Sequence, residues 1–307
     1  MVDEFNVTYI TLGGYVEMGK YRYFYFFIMF TVYILTICFN CTIVYLILMH
    51  NNLHEPMHIF FAALLLNSVV YNTAMYPKLL SDILSEKQII SYSACLSQFF
   101  VYYTLSASDF FLLSAMSYDR YVQYVAMCKP LRYPTIMRKS TVSSILVLAW
   151  LVPAGEMAVS VTLVTNSKLC NSTLGAFFCN NSLYKLFCES SRALFIFDVL
   201  ALLNMALFPL FFILFTYTRI LIMSYRSGRN VRKKAAQTCL PHLIVLICFS
   251  SLCGYDVIII QLGSDLHFMM TLQAFFYYPL LNPVIYGLKM KEISKHLKRL
   301  FCQAKVM

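Results

Sequence analysis

Of the chain's 307 residues, 60% are hydrophobic and only 12% are charged, about half the charged share of an ordinary soluble domain. That excludes a water-soluble globule as the whole architecture. The net charge of +10 would suit a nucleic-acid binder only if it gathered on one soluble face, and its placement along the chain excludes that too.

Residues 1–23 form a polar N-terminal segment. Asp3 and Glu4 stand where a secretory leader has its basic start, so no cleavable signal peptide is expected. Seven charge-poor runs follow: Phe24–Met49, His58–Pro77, Tyr92–Tyr118, Ser140–Val164, Ala193–Tyr217, Ala235–Ile260 and His267–Leu288. Each reaches the roughly 20 apolar residues that a helix needs to cross a bilayer. The runs are continuous, whereas barrel strands would be short and alternating. The fold class predicted is an all-α membrane protein, a seven-transmembrane helix bundle occupying residues 24–289. Residues 290–307 form a cytoplasmic tail. In it Ile293, Leu297, Leu300 and Phe301 share one helical face, with Lys291, Lys295, Lys298 and Arg299 around it. That pattern predicts a short amphipathic helix on the inner membrane face, with lipids as partners.

Lys and Arg fix the orientation. Of 24 basic residues, 17 fall in Arg120–Lys139, Arg219–Lys234 and Lys289–Lys305, all on one side of a seven-span layout. Basic loops stay in the cytoplasm, so the N-terminus lies outside. The first helix opposes this locally, with Lys20 and Arg22 on its outer flank. The acceptor triplets at Asn6, Asn171 and Asn180 all fall outside and mark expected glycosylation sites. Cys95, Cys170, Cys179 and Cys188 also face outward. Four cysteines in an oxidising space predict two disulfides, with three pairings open.

Polar residues inside the spans are functional candidates. Asp119-Arg120 closes the third run, Asn40 sits in the first, and Asn282-Pro283 with Tyr286 interrupts the seventh. A proline there frees backbone carbonyls and permits a bend. Asp-Arg-Tyr at 119–121, Asn-Pro-x-x-Tyr at 282–286, Asn40 and Trp150 together resemble rhodopsin-like G-protein-coupled receptors. More specific phrases are similar to the odorant receptor branch, of aquatic-vertebrate type. They are LHEPMHIFF from Leu53, MSYDRY from Met116, CKPLRYPTIM from Cys128, KAAQTCLPHL from Lys234 and PLLNPVIYGL from Pro279.

The resemblance implies an odorant receptor that activates a heterotrimeric G protein of the stimulatory, olfactory type and raises cyclic AMP. Its setting would be the plasma membrane of olfactory sensory neuron cilia. It implies that Asp119 holds Arg120 at rest, and that Tyr121, Tyr217, Asn282, Pro283 and Tyr286 take part in the switch. It implies the pairings Cys95–Cys179 and Cys170–Cys188. It implies a ligand pocket in the outer half, lined by Tyr102, Tyr103, Ser106, Ala201, Met205, Cys253, Gly254, Val257 and Phe275. Three outer acids, Glu156, Asp198 and Asp256, stand out, and one facing the pocket would favour an amine or another hydrogen-bond donor. Amine receptors of the wider class carry Asp in outer helix three, where this chain has Tyr102 and Tyr103, which argues against simple monoamines. No cofactor is expected beyond a sodium ion near Asn40, Asn67, Ser68, Asp109 and Asn282.

The chain departs from the family after Val122. The usual pattern has two residues between Asp-Arg-Tyr-Val and Cys. Here Gln123-Tyr124-Val125-Ala126-Met127 intervenes before Cys128, three residues more. Three residues turn a helix by about 300°, so the reading is either a tolerant surface loop or altered coupling. An aromatic residue is usual near Ser250, and an Asp at Ser68. The alternatives are a non-odorant rhodopsin-like receptor for a small polar ligand, or a membrane transporter, although no internal repeat supports the latter. A membrane enzyme lacks support from any H-E-x-x-H or G-x-S-x-G motif.

Overall fold

The computed structural model describes residues 8–18, 21–126, 133–188, 192–226, 233, 239–240, 242–251, 253–254, 283 and 293–296. The apolar runs become helices because a bilayer offers no partner to a free backbone N–H or C=O, and a helix satisfies them all internally. Helix α1 spans Arg22–Met49, α2 Pro56–Leu84 and α3 Tyr92–Ala126. A short α4 (Tyr133–Ile136) leads into α5 (Lys139–Thr165). Helix α6 (Arg192–Leu202) passes through a π-helical turn at Leu203–Leu207 into α7 (Phe208–Arg226), and together they make one crossing. An apolar helix α8 covers His242–Ser251. Five membrane-length spans therefore lie among the described residues, in an all-α receptor fold. Most of the sixth run and almost all of the seventh lie outside the described residues.

Burial orders the bundle. In α2 and α3, 61% and 56% of the most apolar window is buried, against 22% in α5 and in the α6–α7 span. Helix α3 is central, and α5, α6 and α7 turn Val147, Leu151, Phe195, Phe208, Phe211 and Phe215 outward. So much exposed apolar surface is not tolerated in water and is the lipid-facing coat.

The outer side holds a small sheet that the sequence did not announce. Strand β1 (Tyr9–Leu12) lies between β2 (Ile89–Ser91), antiparallel, and β3 (Thr173–Leu174), parallel. Its YITL alternation buries Ile10 and Leu12 completely or nearly so, as a half-buried strand requires. Gly14 follows, and its backbone runs so close to the next loop that a Cβ would sit 2.7 Å from the Ala176 carbonyl carbon. The Tyr15 hydroxyl donates to the Phe177 carbonyl at 2.9 Å. Burial, then the Asp82 carboxylate, raises this phenol well above its ordinary range and keeps it a donor.

Cys95 is bonded to Cys179 and Cys170 to Cys188. The first pins the outer loop to the top of α3 across 84 residues, the second closes 18. The Cys179 N–H donates to Gln98 Oε1 and the Asn181 N–H to the Tyr103 hydroxyl, both at 3.0 Å.

Two expectations change here. Asn180 is 1% exposed, and its Oδ1 accepts from the Ser182 N–H at 3.0 Å. The Nδ2 that would carry a glycan is buried with no hydrogen-bond partner, so the folded loop has no room for one. Asn171 is exposed, with its Oδ1 accepting from the Thr173 N–H at 3.1 Å, and Asn6 lies outside the described residues. In the tail, Ile293 faces the bundle and not lipid. It is fully buried with the core that contains Ile47 and Leu53. The His296 ring lies 3.9 Å from that of His50.

Two outcomes follow from this outer architecture. In electrophoresis of protein from a glycosylating cell, Asn171→Gln removes one glycan's worth of mass and Asn180→Gln removes none. In thermal unfolding without reductant, the Cys95→Ala/Cys179→Ala pair costs more than the Cys170→Ala/Cys188→Ala pair. Chain-entropy arguments give about 4–5 kcal/mol for the longer loop and about 3 kcal/mol for the shorter. Equal losses would show that the outer loop is held by other contacts.

Candidate functional site

A cavity of about 150 Å³ opens in the outer half between α3, α5 and α6, beneath the 3-10 turn Asn181–Leu186 of the outer loop. Helix α3 supplies Phe99, Tyr102, Tyr103, Ser106, Ala107 and Phe110. These lie three or four apart or adjacent, the spacing of one broad helical face. Helix α5 adds Met157 and Ser160. Asp198, Ala201 and Leu202 come from α6, Met205 and Ala206 from the π turn, and Cys253 from beyond α8. Asn181 and Tyr184 form the roof.

Of the pocket residues expected from sequence, Tyr102, Tyr103, Ser106, Ala201, Met205 and Cys253 line this cavity. Gly254 is described but is not among the lining residues. Asp256, Val257 and Phe275 lie outside the described residues. Phe99, Ala107, Phe110, Met157, Ser160, Asn181, Tyr184, Leu202 and Ala206 also line the cavity and were not expected from sequence. The roof residues had no signal, because a loop's path over a cavity has no periodicity to read.

Among the three outer acids, Asp198 lines the cavity, and its Oδ1 accepts from the Tyr184 hydroxyl at 3.1 Å. Burial, then the nearby Asp198 carboxylate, holds the Tyr184 phenol well above its ordinary range, so it stays the donor. Glu156 is off the cavity, with Oε1 at 3.4 Å from Asn204 Nδ2. The aromatic lining is continuous. Tyr102 meets Phe178 at 4.7 Å and Tyr103 at 4.8 Å between ring centroids, and Phe99 meets Tyr103 at 4.8 Å. At the floor, Phe110 packs on Phe249 of α8 at 4.5 Å. Phe249 supplies the aromatic group expected near Ser250, one residue earlier.

Below the cavity, Asn67 joins three helices. Its Nδ2 donates to the Leu105 carbonyl and to Asp109 Oδ1, both at 2.8 Å, and its Oδ1 accepts from Trp150 Nε1 at 2.9 Å. The Trp150 N–H requires an oxygen opposite it, which fixes the amide's orientation. Asn67 thus turns N–H, not oxygen, towards Asp109. Ser68 donates to the Leu64 carbonyl at 3.2 Å, and Asn40 Nδ2 to the Thr36 carbonyl at 2.7 Å. Asn282 lies outside the described residues. Asn67 turns its N–H groups towards Asp109, while the Asp109 carboxylate, the Ser68 hydroxyl and the Asn40 amide supply the oxygens of the candidate sodium set.

The inner end also differs from what the resemblance implied. Asp119 Oδ1 accepts from the Tyr133 hydroxyl at 2.8 Å, and Arg120 Nη1 donates to Gln123 Oε1 at 2.7 Å. No ion pair joins Asp119 and Arg120. Among the described residues the one ion pair is Lys78–Asp82. Burial, then Asp119, raises the Tyr133 phenol far above its ordinary range. The physical reason for the changed partner is the insertion. Helix α3 continues unbroken through Ala126, so Gln123 lands at i+3 from Arg120, within side-chain reach. The surface-loop reading is corrected for Gln123–Ala126. These residues are helical, Val122, Tyr124 and Ala126 are buried, and Tyr124 joins the inner core with Tyr217 and Ile220. Tyr121 packs against the same core, Tyr217 is buried with its ring 6.0 Å from that of His242, and Pro283 is buried in helical backbone. Tyr286 lies outside the described residues.

The sequence profile described as olfactory receptor matches residues 29–304. The chain is similar to human olfactory receptor 2T2, 31% identical over 301 residues, covering 96% of this chain and 91% of the relative. It is similar to human olfactory receptor 6B1, 32% identical over 314 residues, covering 98% and 97%. It is also similar to human olfactory receptor 5AN1, 30% identical over 301 residues, covering 96% of each. All three are human, so they speak for the family and not for an aquatic-vertebrate branch.

Trp150→Phe leaves the Asn67 oxygen buried without its donor. An unmade buried hydrogen bond costs about 1–3 kcal/mol, so the purified variant is expected to unfold several degrees below wild type. An unchanged midpoint in a thermal melt would refute the structural role of this amide.

Proposed function

The chain belongs to the olfactory receptor family of G-protein-coupled receptors, and on that premise we propose that an odorant seated beneath Tyr184 drives a stimulatory, olfactory-type G protein at the opposite face and raises cyclic AMP. The protein is a multi-pass membrane receptor and not an enzyme. Its proposed setting is the plasma membrane of olfactory sensory cilia, N-terminus outside, with lipids against the basic tail.

The observation that supports this reading is the cavity floor. Phe110 faces the odorant space and also touches Phe249 on α8, at 4.5 Å. A ligand shifts an equilibrium only through unequal contact with its two states, and a ring shared between cavity and helix supplies that inequality. Helix α8 carries the effect inward, where His242 neighbours Tyr217. Arg120 lies about 20 Å from Ser106 at 1.5 Å per residue, too far to touch an odorant. Its release from Gln123 is the output step in this reading. Water-borne odorants fit the proposal as well as volatile ones, because the cavity selects by size and polarity.

A cyclic-AMP reporter cell screened with odorants, at matched surface expression, tests this. Arg120→Ala is expected to lose the response while purified receptor still binds the odorant. Gln123→Ala is expected to raise ligand-free cyclic AMP roughly two- to tenfold, the worth of one hydrogen bond in an equilibrium. A full response from Arg120→Ala would overturn the assignment of this arginine to the output.

A further inference from the structure

We propose that the odorant class is a small primary amine whose ammonium docks on Asp198, an inference that rests on the odorant-receptor reading above. The outer half of the bundle accounts for its acids unevenly. Asp82 has Lys78 as its ion-pair partner. Among the described residues, Asp198 is met by the Tyr184 hydroxyl, which occupies one of its two oxygens. No Lys, Arg or His is among the described residues lining the cavity, and no Lys or Arg occurs in the sequence anywhere between Lys234 and Lys289. A carboxylate facing an apolar cavity without a cation is costly, and a ligand that brings the cation removes that cost.

The walls suit the same chemistry. Phe99, Tyr102, Tyr103, Phe110 and Tyr184 turn aromatic rings into the space, and ring faces attract ammonium groups. The argument against amines came from helix three alone, where Tyr102 and Tyr103 replace an acid. Here the acid comes from the facing wall, α6, and the tyrosines become the aromatic side of the box. An engineered apolar cavity of similar volume, about 150 Å³, takes benzene, so a cavity of about 150 Å³ sets the ligand at roughly six to ten heavy atoms.

The test uses purified full-length receptor and measures the concentration at which a probe raises the thermal midpoint. The probes are cyclohexylamine, benzylamine and phenethylamine, each against its matched alcohol. At least one amine is expected to act at a concentration about tenfold or more below its alcohol, the worth of a charge-assisted hydrogen bond. Asp198→Asn should erase that preference and Asp198→Glu should retain part of it. Amines no better than alcohols in wild type, or no shift with any amine, overturns the proposal without recourse to a variant. A preference that survives Asp198→Asn overturns it as well. If Asp198→Asn does not fold, Tyr184→Phe decides instead. It frees the occupied Oδ1 while keeping the ring, and should hold or strengthen the amine preference, whereas loss of the preference overturns the proposal. A cyclic-AMP assay separates the two readings. An amine that binds through Asp198 without raising cyclic AMP keeps this site and overturns the receptor output. An alcohol that raises cyclic AMP while no amine binds does the reverse.

Discussion

One side-chain amide sets the register of the bundle. Asn67 on α2 donates to α3 twice and accepts from Trp150 on α5. In hydrocarbon, helices have no hydrophobic drive to associate, so packing and hydrogen bonds must decide their relative height and rotation. Three directed bonds from one planar group leave little freedom for either. Ser106 and Phe110 flank Asp109 on α3, so fixing Asp109 against Asn67 also fixes which α3 side chains face the cavity above.

The outer cap is a second set of constraints, independent of the first. A disulfide, two loop-to-helix hydrogen bonds and a three-stranded sheet all act on the loop that carries Tyr184. A loop already ordered loses little entropy when a ligand arrives beneath it. The cap therefore pre-forms the roof of the cavity, while its floor is the side-chain contact of Phe110 with Phe249.

What sequence could and could not reveal divides along physical lines. The spans were legible because the bilayer demands long apolar runs, and α1, α2, α3 and α5 begin and end within several residues of the expected limits. Six pocket residues were legible from resemblance, since helix phase is carried with the motifs around it. Strand β1 was not, because four residues with period-two alternation are too few to separate from chance. Asn180 carried an acceptor triplet, but a triplet reports local chemistry and says nothing of burial. The insertion misled in a different way. Its repeated Tyr-Val looked like slack in a loop, yet Gln123, Tyr124 and Val125 are good enough helix residues, beside an unbroken α3, to be wound into one more turn. Asp198 stood out as an acid, but choosing it over Glu156 required knowing which wall each helix presents.

The small outer sheet bears on how the chain is made. Strand β1 leaves the ribosome first, yet it is the middle strand, and β2 and β3 follow only after the second and fourth helices have entered the bilayer. Until both have been made, the sheet that covers Ile10 and Leu12 is incomplete. One edge of β1 can pair once β2 is made, and the other stays open until β3, at Thr173–Leu174, follows the fourth crossing. Closure of the sheet consequently requires that the first four crossings have already brought Ile89–Ser91 and Thr173–Leu174 to the same side.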